Sequence, residues 1–408
     1  MNKLWAISLV LFALLTACED EEGATPGNSA TYIRLFGGSN SDIAYMAIPT
    51  SDGGVLCLGT TEIETPTESA FRIRLIKTDI NGNIEWQQLY PQEDQEYSLV
   101  GRSVLAVEDG YIIVGDSIKD EDNSSLVLFK VDLSGNEISG MKKTDTLENA
   151  RLHGIDLIRS GDDNSLVVLA SIESDKINSD LYLARINSSD LTIDPDCRKF
   201  YTGGNVDAVK SLYQTNNGDL VFSGTVNAFS SGNARLFRVP DCTSSLISGP
   251  LLVQGTSKNY TINQVVPAGN GFAMVGTTND TDNGSNDIFL ARLGPLGAVQ
   301  FMKIYNNIEG APMTNAEEGL TITTTNDGGF LLGGSTLTNT KGEIDIIIIK
   351  TDAFGAIQWS RRFGDINEEY ATYVTQAPDG GYLIFGNTEF GGIDTMILIK
   401  TDSEGNVE

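Results

Sequence analysis

The chain has 408 residues, 40% hydrophobic and 20% charged, so it can build a large core or several and is not disordered by composition. Lys and Arg number 27 against 55 Asp and Glu, a formal net charge of −28, which excludes nucleic acid as a partner and argues against a polybasic grip on anionic lipid. One His, and four Cys with no Cys-x-x-Cys pair, leave almost no material for a His-based zinc site or a Ser-His-Asp triad.

At the N-terminus, Met1-Asn2-Lys3 leads into an apolar run from Leu4 to Leu15 and then Thr16-Ala17-Cys18. One positive charge, about a dozen apolar residues and small residues before a cut predict a secretory signal over residues 1–17, whereas a membrane span needs ~20 apolar residues. Leu15-Thr16-Ala17-Cys18 resembles a bacterial lipobox at all four positions. That resemblance implies that Cys18 is acylated, with palmitate-type chains, and anchors the mature chain to a membrane through its N-terminal lipid. Glu19-Asp20-Glu21-Glu22 and the Gly-, Ser- and Pro-containing stretch to Ala30 read as a solvated, self-repelling tether over residues 18–30. An acidic cluster directly after the Cys is similar to the surface-export signal of Bacteroidota lipoproteins. This implies an outer-membrane lipoprotein exposed at the cell surface. Further along, the densest apolar run, Ile346 to Ile349, stops at Asp345 and Lys350.

From residue 31 onward the chain repeats itself. A turn and a short apolar strand ending in a small residue read Asp52-Gly53-Gly54-Val55-Leu56-Cys57-Leu58-Gly59 at first and Asp379-Gly380-Gly381-Tyr382-Leu383-Ile384-Phe385-Gly386 at last. Between them the same strand ends at Gly115, Ala170, Gly224, Gly276 and Gly334, a period of ~54 residues. A second β-rich run ends in a basic residue in every copy, at Lys77, Lys130, Arg185, Arg238, Arg292, Lys350 and Lys400. In four copies Asp follows two residues later, at Asp79, Asp132, Asp352 and Asp402, and a turn Gly comes next. A further strand follows, as in Ile84-Glu85-Trp86-Gln87-Gln88-Leu89-Tyr90, and another precedes the Asp-Gly-Gly turn, as in Tyr45-Met46-Ala47-Ile48.

Four short strands per repeat without helical periodicity predict propeller blades, and seven repeats predict an all-β, seven-bladed β-propeller of four-stranded antiparallel blades over residues 31–408. The last repeat stops at Gly405-Asn406-Val407-Glu408, short of its outer strand, while Thr31-Tyr32-Ile33-Arg34-Leu35-Phe36-Gly37 matches Trp359-Ser360-Arg361-Arg362-Phe363-Gly364. The N-terminal strand is therefore expected to complete blade seven and close the ring. The pattern resembles the DGGY-type propeller repeats of poorly characterised surface and secreted proteins of the Bacteroidota. This resemblance implies fold and setting and carries no agreed activity.

Counting back a constant number of residues from each marker strand lands on Asp42, Ser98, His153, Asp207, Asn259, Glu317 and Glu369, all polar and four acidic. They are expected near the start of the innermost strands. One reading is a ring binding Ca²⁺ or another hard cation, or a cationic or hydroxyl-rich ligand. The other, favoured because the feature recurs from blade to blade, is packing between adjoining blades; no cofactor is required. The basic residues at Lys77 and its equivalents are expected to be structural, paired with the Asp two residues on. His153 is a weak catalytic candidate without a partner for its second ring nitrogen. Cys57 aligns with apolar residues and is expected as a buried thiol. Cys197 and Cys242 both follow Pro-Asp but at different points of their repeats, and spacing alone does not favour a disulfide that export permits. Asp79-x-x-Gly82-x-x-x-Trp86 and Asp352-x-x-Gly355-x-x-x-Trp359 loosely resemble the docking repeat of quinoprotein-like propellers. With Trp in two blades only they are read as β-turns with a packed aromatic, and no quinone is expected.

No nucleophile elbow, zinc-helix, dinucleotide or P-loop motif is present, and Asp79 to Gly82 lacks the spacing of a calcium-binding loop. The connections between second and third strands, such as Thr60 to Ala70 and Thr277 to Asn286, are long, polar and poor in aromatics. These features favour an outer-membrane-anchored, non-catalytic interaction module binding a protein or glycan partner. A periplasm-facing scaffold for outer-membrane protein assembly, and a polysaccharide-acting hydrolase using Asp/Glu pairs, are the alternatives.

Overall fold

The structure, a computed structural model, describes residues 31–407 apart from short stretches at 65–68, 92–96, 121–122, 149, 174–180, 202–205, 216, 227–232, 241–243, 245–246, 252–258, 280–284, 307, 309–315, 338–343 and 365–366. The signal, Cys18, the tether and Cys242 lie outside the described residues.

Among the described residues twenty-eight strands form seven four-stranded sheets, with no helix. Blade one runs β2 (Asp42–Pro49), β3 (Val55–Glu64), β4 (Ser69–Thr78) and β5 (Ile84–Tyr90), side by side in chain order and antiparallel. The innermost strands are β2, β6 (Ser98–Val107), β10 (Arg151–Ser160), β14 (Val206–Gln214), β18 (Tyr260–Ala268), β22 (Glu317–Thr324) and β26 (Glu369–Gln376), each touching the next and β26 touching β2. The ring closes as expected. Strand β1 (Tyr32–Phe36) is the outer strand of blade seven, with Tyr32 opposite Lys400 and Phe36 opposite Met396 on β28 (Ile393–Thr401).

Seven apolar clusters lie one at each seam between successive blades. A blade is covered on both faces, which is why its middle strands are apolar without alternation: Val55 to Thr61 is buried at every residue, as is Asp345 to Thr351. Outer strands such as β5 keep one face in water and alternate. Each fully buried Leu, Ile or Phe contributes ~1.5–3 kcal/mol, so the seams dominate stability. Cys57 lies in the seam between blades seven and one as a free thiol, and burial pushes its ionisation up.

Two polar devices tie the inner strands together. A side chain just past the strand-end glycine accepts a backbone N–H from the next blade: Gly101 N reaches Thr60 Oγ1 at 3.0 Å, Gly154 N reaches Asp116 Oδ1 at 2.7 Å, and Ala44 N reaches Asn387 Oδ1 at 2.9 Å. Nearer the channel, Ser103 Oγ donates to Asp156 Oδ1 at 3.1 Å, while Asp156 Oδ2 accepts Leu212 N at 2.9 Å and Gln264 Oε1 accepts Ile322 N at 2.7 Å. Every one of these bonds crosses a seam. On the rim, the rings of Tyr32, Trp86, Phe301 and Trp359 lie against the turn glycines Gly82, Gly135, Gly355 and Gly405 of the following blade, so the Trp-containing turns are packing devices, as read from sequence.

Candidate functional site

The two faces of the ring are built differently. On one, the turns between first and second strands meet the basic residues. Lys77 is buried, and its Nζ lies 2.8 Å from Asp52 Oδ2 and 2.9 Å from Glu85 Oε2. Lys130 pairs with Asp109 at 2.7 Å, Lys350 with Asp327 at 2.7 Å, Lys400 with Asp379 at 2.7 Å and Arg238 with Asp219 at 3.1 Å. In these five blades the partner is therefore the Asp of the first turn, which corrects the expected pairing with the Asp two residues on. That second Asp holds its own turn instead: Asp79 Oδ1 accepts Asn81 N at 2.9 Å and Asn83 N at 2.8 Å, and Asp352 Oδ1 accepts Phe354 N and Ala356 N, each at 2.8 Å.

The Asp-Gly-Gly motif follows from this geometry. Asp52 Oδ1 accepts Thr50 Oγ1 at 2.6 Å and Gly54 N at 3.0 Å. Burial opposes its ionisation, but Lys77 and Thr50 hold the carboxyl down to about 2. Gly53 takes φ 85°, and a Cβ on Gly54 would lie 1.9 Å from the Thr78 carbonyl oxygen and 2.7 Å from Lys77 Nζ.

The opposite face carries the strand-start residues and the long polar connections. Asp42 lies opposite Thr61, Glu317 opposite Thr336 and Glu369 opposite Thr388, so these three acids, in blades one, six and seven, share one structural position. In the other blades that position holds Leu99, Leu152, Val206 and Tyr260. Ser98 and Asn259 come one residue before it, His153 and Asp207 one after. The side chain of Asp207 lies outside the described residues. One residue along a strand turns a side chain to the other face, so the seven do not form one ring. In blades two, three and five the count slips because the turn between first and second strands varies in length: Val107 pairs with Gly110 across two residues in blade two, but Pro49 pairs with Val55 across five in blade one. In blade four the turn is as long as in blade one, Gln214 pairing with Leu220, and the slip comes from a second bulge in β14 between Val206 and Ala208.

The three aligned acids are buried and engaged. Arg74 Nη1 meets Asp42 Oδ2 at 2.9 Å; burial raises this carboxyl's pKa and Arg74 opposes the rise. Glu317 Oε1 accepts Thr336 Oγ1 at 3.2 Å, and Glu369 Oε1 accepts Thr388 Oγ1 at 2.8 Å. Glu317 also meets an Asp from the preceding blade. Burial, and a hydrogen bond that the protonated Glu317 donates to the carboxylate of Asp287, the first residue of β20 (Asp287–Leu293), push Glu317 well above the usual carboxylate range. At the next seam, a Cβ on Gly364 would lie 2.2 Å from Asp345 Oδ1 and 2.8 Å from Glu369 Oε2. Ser98 Oγ accepts Phe71 N at 3.0 Å, and Asn259 N donates to Asn279 Oδ1 at 2.9 Å.

His153 has the second partner that the sequence did not reveal. Its Nδ1 lies 3.3 Å from Asp116 Oδ2 and its Nε2 lies 3.4 Å from Glu173 Oε2. The Asp116 hydrogen bond raises its pKa against burial. Asp116 is fully buried and also takes Arg102 Nη2 at 2.6 Å. It occupies the position at which Thr60 and Asn387 serve neutrally in other blades, and Arg102 and His153 answer its extra charge. No signal in the sequence marked this cluster, because it joins residues from two blades.

A cleft of about 670 Å³ opens at the seam of blades seven and one, lined by Ser39, Asn40, Asp42, Thr61, Arg74 and Gln87 among others. Its lining is rich in hydrogen-bonding groups and holds no aromatic ring. Among the described residues no group of three or more His, Cys, Asp or Glu is placed to hold a metal ion. Cys197 is buried and disulfide-bonded, so the offset within the repeats did not keep it reduced; Cys242 lies outside the described residues. No helix among the described residues is long and apolar enough to cross a membrane.

No protein-family model and no curated protein matches the chain. Among solved structures it is similar to a protein of unknown function from Dyadobacter fermentans, with TM-score 0.50 and 9% identity over 93% of this chain and 100% of that one. It is also similar to a periplasmic gluconolactonase of Pseudomonas aeruginosa, with TM-score 0.50 and 11% identity over 80% and 96% of the two chains. An α-L-arabinanase of Penicillium chrysogenum follows at TM-score 0.48 and 10% identity, over 92% and 98%. At these identities the likeness is one of fold, and the fold is a seven-bladed β-propeller.

Proposed function

We infer that this protein is an outer-membrane lipoprotein, anchored through Cys18 and displayed at the cell surface, whose propeller is a non-catalytic module binding a protein or glycan partner with its long-loop face. One observation carries the reading. The acids that could have performed chemistry on that face are committed to the blades: Asp42, Glu317 and Glu369 are each less than 5% exposed, and each is bonded inside its own blade. The polar cleft beside Asp42 and Arg74 supplies donors and acceptors for a hydroxyl-rich ligand, and its one carboxylate, Asp42, is buried. No cofactor is needed for such binding, so chelation with EDTA should leave it unchanged.

A hydrolase reading has one specific observation in its favour, the proton held at Glu317 beside Asp287, as a general acid would hold it. Both groups are nearly inaccessible, at 3% and 0% exposure, so a substrate oxygen does not reach them in this conformation. With a gluconolactonase among the proteins of similar fold, sugar lactones are the first substrate class to assay.

The test is capture from intact cells: surface cross-linking, solubilisation of the Cys18-anchored protein, and identification of what co-purifies. A discrete surface protein or a glycan supports the module, and loss of capture on Cys18→Ala supports the anchor. Absence of any partner together with turnover of a lactone or glycan, abolished by Glu317→Gln, would replace it with the hydrolase. Resistance to protease added to intact cells would favour the periplasm-facing scaffold.

A further inference from the structure

The basic position at the end of each third strand provides an internal comparison. In blades one, two, four, six and seven its cation pairs with a carboxylate from the turn between first and second strands. In blade five the cation is Arg292, and the turn is the same two-residue turn as in blade two: Ala268 pairs with Gly271 there as Val107 pairs with Gly110. The residue that matches Asp109, the partner of Lys130, is Asn270. Arg292 Nη1 donates to the carbonyls of Phe272 at 3.1 Å and Leu293 at 3.4 Å, and no described carboxylate pairs with the guanidinium. Burial lowers its proton affinity with no counter-charge to offset the effect. Its Nη2 points toward Gly269, where an added Cβ would lie 3.2 Å away.

This cation borders a cavity of about 790 Å³ between blades five and six. The rest of the wall includes Pro267, Phe301, Phe330 and Phe354, with Gln300 exposed at the rim. Phe354 is 75% exposed, and Leu296, 80% exposed, stands on the turn of the same blade as Arg292. A half-buried guanidinium without its carboxylate, set against aromatic walls, is complementary to a carboxylate that carries an apolar group. The polar Gln300 amide at the rim and the apolar surface running on beyond the cavity suit a chain end better than a compact molecule.

We propose that the cavity between blades five and six binds the C-terminal carboxylate and apolar last side chain of a protein partner, the carboxylate taking the place by Arg292 that Asp109 holds by Lys130. The site lies on the short-turn face, opposite the long loops, and does not depend on what those loops bind.

The probe is acetyl-Gly-Gly-Leu-Phe, as the free acid and as the C-terminal amide, titrated by calorimetry against residues 31–408 at physiological salt. The free acid should bind, and the amide at least ten-fold more weakly. Arg292→Gln should weaken the free acid at least ten-fold. Asn270→Asp places a carboxylate within the chain as in blade two, so it should block the peptide while raising the melting temperature, a combination that a damaged fold would not produce. Equal affinity for acid and amide, no binding of the acid at millimolar concentration, or unchanged binding in both variants would overturn the proposal. Binding of 3-phenylpropionate as tightly as the peptide would overturn the assignment to a chain terminus and leave a small aryl carboxylate as the ligand.

Discussion

Two neighbouring glycines in one turn answer to different physics, and substitution should separate them. Gly53 needs its positive φ, and a Cβ there would meet only the flexible end of Ile80 at 3.2 Å, so Gly53→Ala should cost ~1–2 kcal/mol. Gly54 passes over a backbone carbonyl at a distance no Cβ tolerates, and Gly54→Ala should cost on the order of 3 kcal/mol or more, read by chemical denaturation of both variants. Glu317 makes a second residue-scale prediction. Its folded pKa lies above its ordinary value of 4.5, so the unfolded chain gives up this proton first. Stability therefore falls as pH rises from about 4.5 through the folded pKa, and is unaffected by this group below both. Glu317→Gln keeps the shape and stays neutral. It should stabilise the protein by about 2 kcal/mol or more at pH 8 and little at pH 4, and an equal effect at both pH values would show that folding does not raise the pKa of Glu317.

At the scale of the strand and turn, the repeat was legible because each recurring residue has one local job. Asp352 accepts two backbone N–H groups of its turn, so Asp352→Ala should cost ~1 kcal/mol and speed amide exchange at Phe354 and Ala356, while leaving exchange on β24 (Ile344–Thr351) unchanged. The partner of the basic residue was misread for a reason of the same scale. Two Asp residues lie within reach of each Lys along the blade, and the nearer one in sequence turns its carboxylate into its own loop. Asp52, distant in sequence from Lys77, faces it across the β3–β4 ladder, where Leu56 lies opposite Lys77.

For the whole molecule, closure by β1 should control stability out of proportion to its five residues. Tyr32 and Phe36 are 5% and 3% exposed and belong to the seam cluster of blades seven and one. A chain beginning at residue 38 leaves the edge of β28 unpaired and that seam open. It should melt at a clearly lower temperature and bind a hydrophobic dye before global unfolding, and addition of a peptide spanning residues 31–37 should restore part of the loss. An unchanged melting temperature would mean that the other seams hold the ring without it.

Blade number, strand order and the closing strand were determined by the sequence alone, because they depend on a repeated period, on turn glycines and on which terminal half-blade is missing, all local features. The candidate site was legible only in part. Asp42, Glu317 and Glu369 share a position that counting could reach, since their blades have first turns of equal length and a single bulge in the first strand pair. Ser98, His153 and Asn259 fell off it because one residue more or less in a turn moves a side chain to the other face of its strand, and Asp207 because an extra bulge in β14 does the same. The second partner of His153, the acid pair at Glu317, and the uncompensated charge at Arg292 were decided by tertiary structure. Each depends on which groups two different strands bring within a few ångströms, and charge, unlike periodicity, acts between neighbours in space.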